Sequence, residues 1–302
     1  MTLAMRSAHI ALSSLVALAS TTAVSNLARA EDTEQGQSDV QLVARQDLVA
    51  LLNPMGAEHR FELALRGDLG DQTDVLFQGA HLQGGVTSYA SPVYVIGGGY
   101  MEFAPFSFLS LRGDLLGAGI WPIGMSGAGY YGVSGYDADV RSQSLPAEAG
   151  RTATGWIASG SMTLQGAIDF GGGTRVVFAN EFGVSYVVVG GEGFYYSMKS
   201  DLILAREDVL LTNSGFLGIE HRVAQDMLIR VGAYDDLRYV PASGYVGHQV
   251  GPIAMVEWQR PAPSIGALTV FVRGGGYTHH LIRAEEATIL GGVSVDYTLG
   301  GL

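Results

Sequence analysis

The 302-residue chain contains no cysteine. That absence excludes disulfides, thiolate metal sites, cysteine nucleophiles and a lipid-modified N-terminal cysteine. Lysine occurs once, at Lys199, and charged residues of all kinds make up only 15 %. Bases are scarce against acids, 17 Lys and Arg to 29 Asp and Glu. Strong acidity argues against nucleic acid as a partner. After residue 30 no window approaches eighteen consecutive apolar residues, so no membrane-spanning helix is expected. Stability must come from packing and backbone hydrogen bonds.

The first thirty residues, MTLAMRSAHIALSSLVALASTTAVSNLARA, have the layout of a secretory signal peptide. Arg6 supplies the positive start, Ile10 to Ala19 the apolar run, and Ala28-Arg29-Ala30 the cleavage site. Export through the Sec route is expected, leaving 29 acidic against 15 basic side chains. Residues 31–38 are polar. The next stretch, DVQLVARQDLVALL, carries Val40, Val43, Leu48, Leu51 and Leu52 near helical spacing. Ser38 and Gln41 fit a capping box and Asn53-Pro54 a stop, so a short amphipathic helix is predicted over 39–52.

From Ala57 onward period two takes over. Ten segments alternate: 58–67, 92–103, 106–117, 154–170, 174–189, 214–222, 227–236, 247–258, 267–277 and 288–299. Two further candidates lie at 75–85 and 200–211. Tight connections (104–105, 171–173, 223–226, 259–266) alternate with long ones (68–91, 118–153, 190–213, 237–246, 278–287). Strands of fifteen residues are about 50 Å long at roughly 3.3 Å per residue, more than a soluble sheet uses. The 43 glycines, including GGG at 97–99, 171–173 and 274–276, lack the Lys-Ser/Thr of a phosphate loop and fit turns and close packing.

The two faces of these segments differ. One is apolar and carries Trp156, Phe170, Phe178, Phe182, Tyr186, Trp258 and Tyr297, a candidate set of membrane-interface aromatics. The other carries charge on every segment. Its acids are Glu62, Glu102, Asp114, Asp169, Glu181, Glu220, Glu257 and Asp296. Its bases are Arg60, Arg66, Arg112, Arg175, Arg222, Arg230 and Arg273. The long connections, counted with Asp235 and Asp236, hold fourteen acids against six bases. A soluble sandwich would bury its apolar rows and expose its charges. The pattern predicts the reverse: an all-β, antiparallel, up-and-down transmembrane β-barrel of about ten strands, with twelve as the alternative, lipid outside and charge in the lumen.

In these alternating rows, short turns and long loops, the chain resembles small bacterial outer-membrane β-barrel proteins over about 58–299. It departs from them in ending YTLGGL, with Tyr297 five residues in from Leu302. The resemblance implies a Gram-negative cell envelope and three parts: a signal peptide (1–30), a periplasmic segment with the short helix (31–56) and the barrel (57–302). The implied partners are outer-membrane lipid and lipopolysaccharide, the barrel-assembly machinery, and other envelope proteins reached through the helix or the acidic loops. A narrow porin-like channel or a structural anchor is the leading expectation; a lipid-modifying hydrolase is the alternative. No enzymatic activity, cofactor or metal is expected. A His-x-Ser pair is absent. His279-His280 with Glu285 and Glu286 is the one histidine cluster, and adjacent strand residues point to opposite faces.

Overall fold

A computed structural model of the chain describes residues 40–52, 56–123, 129–138, 140, 149–191, 193–281 and 283–301. The expected signal peptide, the polar 31–38 segment and the Asn53-Pro54 stop lie outside these residues. Twelve strands close into one antiparallel barrel. They are β1 (Val40–Leu52), β2 (Gly56–Asp68), β3 (His81–Ser91), β4 (Tyr94–Phe106), β5 (Leu109–Ile120) and β7 (Ala153–Asp169), followed by β8 (Thr174–Val189), β11 (Glu207–Ala224), β12 (Met227–Val240), β13 (Tyr245–Ala262), β14 (Ile265–His279) and β15 (Ala287–Gly301). Three short strands, β6 (Gly132–Val133), β9 (Phe194–Ser197) and β10 (Leu202–Ala205), form a separate small sheet.

The strand count corrects two expectations. Residues 40–52 are a strand, not a helix. β1 pairs with β15 from Gln41↔Gly301 to Leu52↔Ile289 and with β2 from Val40↔Gly67 to Leu51↔Gly56. Without it, two strand edges would face lipid with unpaired amides and carbonyls, at several kcal/mol for each group. That term overrides a helical spacing of apolar residues. In the strand, Arg45, Asp47, Val49 and Leu51 face inward while Leu48 and Leu52 face out. The second correction is the 68–91 connection, which contains β3. Only 69–80 is irregular, and it lies at the same barrel end as Val40 and Gly301. The 200–211 candidate resolves into β10 and the start of β11.

The end bearing Val40 and Gly301 is the periplasmic end by the rule that short turns are periplasmic; β5 and β7, β8 and β11, and β14 and β15 are connected at the opposite, outward end. The β7–β8 turn shows why the glycines are there. Gly171, Gly172 and Gly173 all take positive φ (80°, 63°, 75°), a left-handed run that other residues adopt at a penalty. Phe170 donates its N–H to the Thr174 carbonyl to close the turn.

The barrel is polar within and apolar without. Arg230, Glu220 and Glu257 are 1–2 % exposed, while Leu115, Leu217, Val231 and Ile219 are 54–63 % exposed on the outer face. A soluble barrel has the opposite order; only a hydrocarbon surround makes this one stable. The protein is an integral outer-membrane β-barrel. Val231→Arg, within the apolar band, should destabilise it in lipid vesicles by about 2–4 kcal/mol in urea titrations followed by tryptophan fluorescence. The same change at Val75, 78 % exposed in the periplasmic 69–80 segment, should stay within about 0.5 kcal/mol.

Candidate functional site in the lumen

The lumen is divided lengthwise. On the side of β11 to β15 and β1 it is filled in layers. Near the periplasmic end Arg230 bridges Glu220 at 2.6 Å and Glu257 at 2.8 Å, and Arg175 also pairs with Glu220. Arg45 donates to Asp47 at 3.0 Å and lies 3.9 Å from Asp296. These charges are almost fully enclosed. Removing one partner of such a buried pair typically costs about 3–5 kcal/mol, because a desolvated charge is left behind. Above them sits an apolar layer that includes Val49, Phe216, Tyr234, Met255, Phe271 and Leu290. Phe271 lies over Gly292, where a Cβ would fall 2.7 Å from the ring. Above that, Arg273 and Arg238 converge on Asp236 at 3.6 and 3.2 Å.

The other side is open. A cavity of about 260 Å³ runs beside the inner faces of β5, β7, β8 and β11. Along β7 it reaches from Ile157 to Gln165, about 26 Å at roughly 3.3 Å per residue. Strand register makes it amphipathic. Gln165 marks its lowest level; above it Ser110, Thr163 and Glu181 share one, then Arg112 with Ser161, then Asp114 with Ser159 and Ser185. The next level up is apolar: Leu116, Ile157 and Val187. Period-two alternation thus puts hydroxyls and charge in the periplasmic half of the wall and hydrocarbon in the outer half.

The polar half has one ordered wall. Glu62 takes both Arg60 and Arg112, the latter at 2.7 Å, and Arg112 also reaches Asp114 at 2.8 Å. The Arg112 guanidinium lies 3.9 Å from the centre of the Tyr100 ring. Glu102 is held by His81 at 3.3 Å and Ser110 at 3.0 Å. Across the cavity, Glu181 accepts a 3.3 Å hydrogen bond from Thr163 and forms no ion pair among the described residues.

A hairpin closes the outward end. β9 and β10 fold into the barrel mouth, and β6 pairs with β9. The tip spans the lumen. Lys199 reaches Glu58 on β2 at 3.0 Å and sits 4.0 Å over the Tyr89 ring. Asp201, with φ at 56°, accepts from Arg283 at 2.9 Å, Tyr277 at 3.3 Å and Tyr196, and lies 3.4 Å from His280. Arg238 donates to the Ser200 carbonyl at 2.8 Å. Burial alone would raise the Asp201 carboxyl, but the charges of Arg283 and His280 outweigh it and hold it below its usual range. Burial pulls the His280 imidazole and the Lys199 ammonium down.

Most charges placed in the lumen by alternation are found in these clusters. Three sit at the periplasmic rim instead. Arg66 pairs with Asp68, Asp169 is exposed and accepts the Gly171 N–H, and Arg222 reaches the Gln225 carbonyl and Gln259. Of the aromatics, Trp156 and Tyr186 pack together at 5.5 Å near the outward end of their strands. Phe170 is 69 % exposed at the periplasmic turn, and Trp258 and Tyr297 are half-buried near that end. Phe178 and Phe182 lie within the apolar band and not at its edge, because β8 continues seven residues beyond Phe182. Alternation missed Arg45 and Asp47, hidden in the presumed helix. It missed Glu58, Asp236 and Arg238, which share the parity of Arg60 and Arg230. No local signal joins Asp201 to Arg283 and His280, or Lys199 to Glu58; those contacts are made only through the inward fold of the hairpin.

No protein-family model and no curated protein matches the chain. Solved structures do. A NanC porin structure matches over 85 % of this chain and 100 % of its own, at 9 % identity and a TM-score of 0.37. LpxR from Salmonella typhimurium matches over 84 % and 99 %, at 11 % identity and 0.43. OmpT, an outer membrane protein of Vibrio cholerae, matches over 88 % and 99 %, at 10 % identity and 0.33. Such likeness concerns the fold alone. The expectation that the protein is not an enzyme does not stand: one fold hosts unrelated functions, so a barrel architecture does not exclude catalysis. The reason the sequence misled is geometric. A search for histidine next to a nucleophile in sequence is blind to side chains brought together by strand register. The one cluster it found does not assemble: His280 is buried on Asp201, while His279 is exposed.

The sole lysine gives a direct probe of the hairpin. Asp201→Asn removes the buried carboxylate that Arg283 meets at 2.9 Å and should weaken docking by about 3 kcal/mol, roughly a hundredfold in the undocked population. Cleavage after Lys199 by a lysine-specific protease at pH 8 should accelerate correspondingly, with the barrel still folded.

Proposed function

We propose that the protein is a narrow, solute-selective channel whose lumenal chamber binds its solute and whose inward hairpin gates it. The chamber itself carries this reading. Four adjacent strands present one continuous wall that changes from hydroxyls and charge to hydrocarbon, under a cap held by ion pairs at both ends of its tip. On the other side the layered packing leaves a void of about 10 Å³ beside Asp236 and Arg238. Glu181 gives the polar half an excess carboxylate, so the reading favours neutral or cationic amphipathic solutes over anions. Insertion by the barrel-assembly machinery and contact of the acidic loops with lipopolysaccharide belong to the same proposal.

Acid should open the gate. Asp201 and His280 both have depressed pKa values when the hairpin is docked, so the undocked state binds more protons. Docking is strongest above the ordinary histidine value near pH ~6.5, weakens below it as His280 charges, and weakens again near pH ~4 as Asp201 protonates. Purified protein in planar bilayers should therefore give small, discrete, cation-preferring current steps at pH 7.5. Open dwell times should lengthen at pH 5 and in Asp201→Asn, and cation preference should fall in Glu181→Gln. Silence from both the wild type and Asp201→Asn would refute the channel.

A further inference from the structure

On the outer face of the barrel, three strands bring together a hydroxyl, an imidazole and a carboxylate. Thr278 on β14 hydrogen-bonds Nδ1 of His248 on β13, and Nε2 of the same ring lies 2.8 Å from Asp235 on β12. All three point away from the lumen: their neighbours Asp236, Gln249 and Tyr277 are 2–4 % exposed inside, while the Asp235 and His248 side chains are 51 % and 27 % exposed. The residues are 13 and 30 apart in sequence and meet through register. Asp235 lies diagonally across from His248, because Leu237 is its direct partner. A register shift between His248 and Gln249 places β14 one residue out of step at this point. Such bulges re-aim side chains and are frequent beside active sites.

The protonation pattern is fixed by chemistry. An ionised carboxylate only accepts, so the ring hydrogen sits on Nε2 and Nδ1 is left as the acceptor of the Thr278 hydroxyl proton. That is the arrangement of nucleophile, base and orienting acid. Its height on the barrel points to the substrate. Running outward, the external rows read Ile229, Val231 and Ala233 on β12; Val256, Ala254, Pro252 and Val250 on β13; Val270 and Val272, then two glycines, on β14. Asp235, His248 and Thr278 are the first polar side chains above those apolar rows. This is the boundary where the outer leaflet exchanges hydrocarbon for head groups, the depth of an acyl ester.

We propose that Thr278 and His248, oriented by Asp235, hydrolyse acyl esters of outer-leaflet lipids. Thr278 Oγ1 attacks the ester carbonyl while His248 takes its proton. The C–O bond to the lipid alcohol breaks, and the alcohol leaves with the proton from His248. Water, deprotonated by the same ring, then cleaves the acyl-Thr278 ester and releases the fatty acid. Thr278 and His248 are catalytic residues; Asp235 is a positioning residue.

The test reconstitutes the full-length protein in two preparations, phosphatidylethanolamine vesicles and lipopolysaccharide micelles, and measures free fatty acid by mass spectrometry. Release above the protein-free background is expected in at least one preparation, and which one identifies the lipid. Thr278→Ala and His248→Ala should lose about a hundredfold or more, while Thr278→Ser retains activity. Asp235→Asn should slow release through kcat with KM little changed, because Asp235 touches the ring and not the lipid, and Asp235→Glu should restore most of the rate. Bilayer conductance should be the same in Thr278→Ala, which separates this activity from the channel. No release in either preparation, or equal release by Thr278→Ala, overturns the proposal and leaves the three residues a surface hydrogen-bonded row.

Discussion

Closure of the sheet is the constraint on which everything else depends. Hydrocarbon offers backbone amides and carbonyls no partner, so each strand must be paired on both sides. β1 completes the ring between β2 and β15. It does so with a segment whose isolated preference is ambiguous, and it brings Arg45 and Asp47 into the lumen with it. Once the ring is closed, alternation sorts every strand into a lipid row and a lumen row, and the charge distribution follows.

The lumen then resolves a conflict between filling and function. A barrel this narrow can pack its interior with side chains. Half of it does, with two ionic layers around an apolar one, and Phe271 needs glycine at 292 to lie flat against the wall. The other half is kept open by short side chains, Ser159, Ser161 and Thr163 on β7 facing Gly183 and Ser185 on β8. The hairpin spans both halves. Its tip is fastened to β2 by Lys199 and to the far side by Asp201, so undocking it would break both contacts. The outer rim has an unrelated organisation, since Asp235 and Asp236 are adjacent in sequence yet belong to opposite faces.

Much of the architecture was legible without coordinates. Period two over long segments, charge confined to one parity and the absence of any apolar helix specified a membrane barrel. The same parity located Arg60, Glu62, Arg112, Glu220, Arg230 and Glu257. It stopped short at one boundary: β12 runs on to Val240 through Arg238, which falls in the expected 237–246 connection, and Asp236, the last residue of the expected segment, is counted with the loop charges. It also failed for β1, where apolar residues satisfy helical and strand periods alike over a short span.

The sequence alone therefore determined which face of each strand meets lipid, because that depends only on alternation along one chain segment. The tertiary structure decided which charges pair, which half of the lumen stays open, and that Lys199 and Asp201 fasten one hairpin tip to opposite sides of the mouth. It also decided that Thr278, His248 and Asp235 share one spot on the outer face. Those contacts join residues far apart in sequence, and they are set by strand register and loop path, neither of which is encoded in any local window.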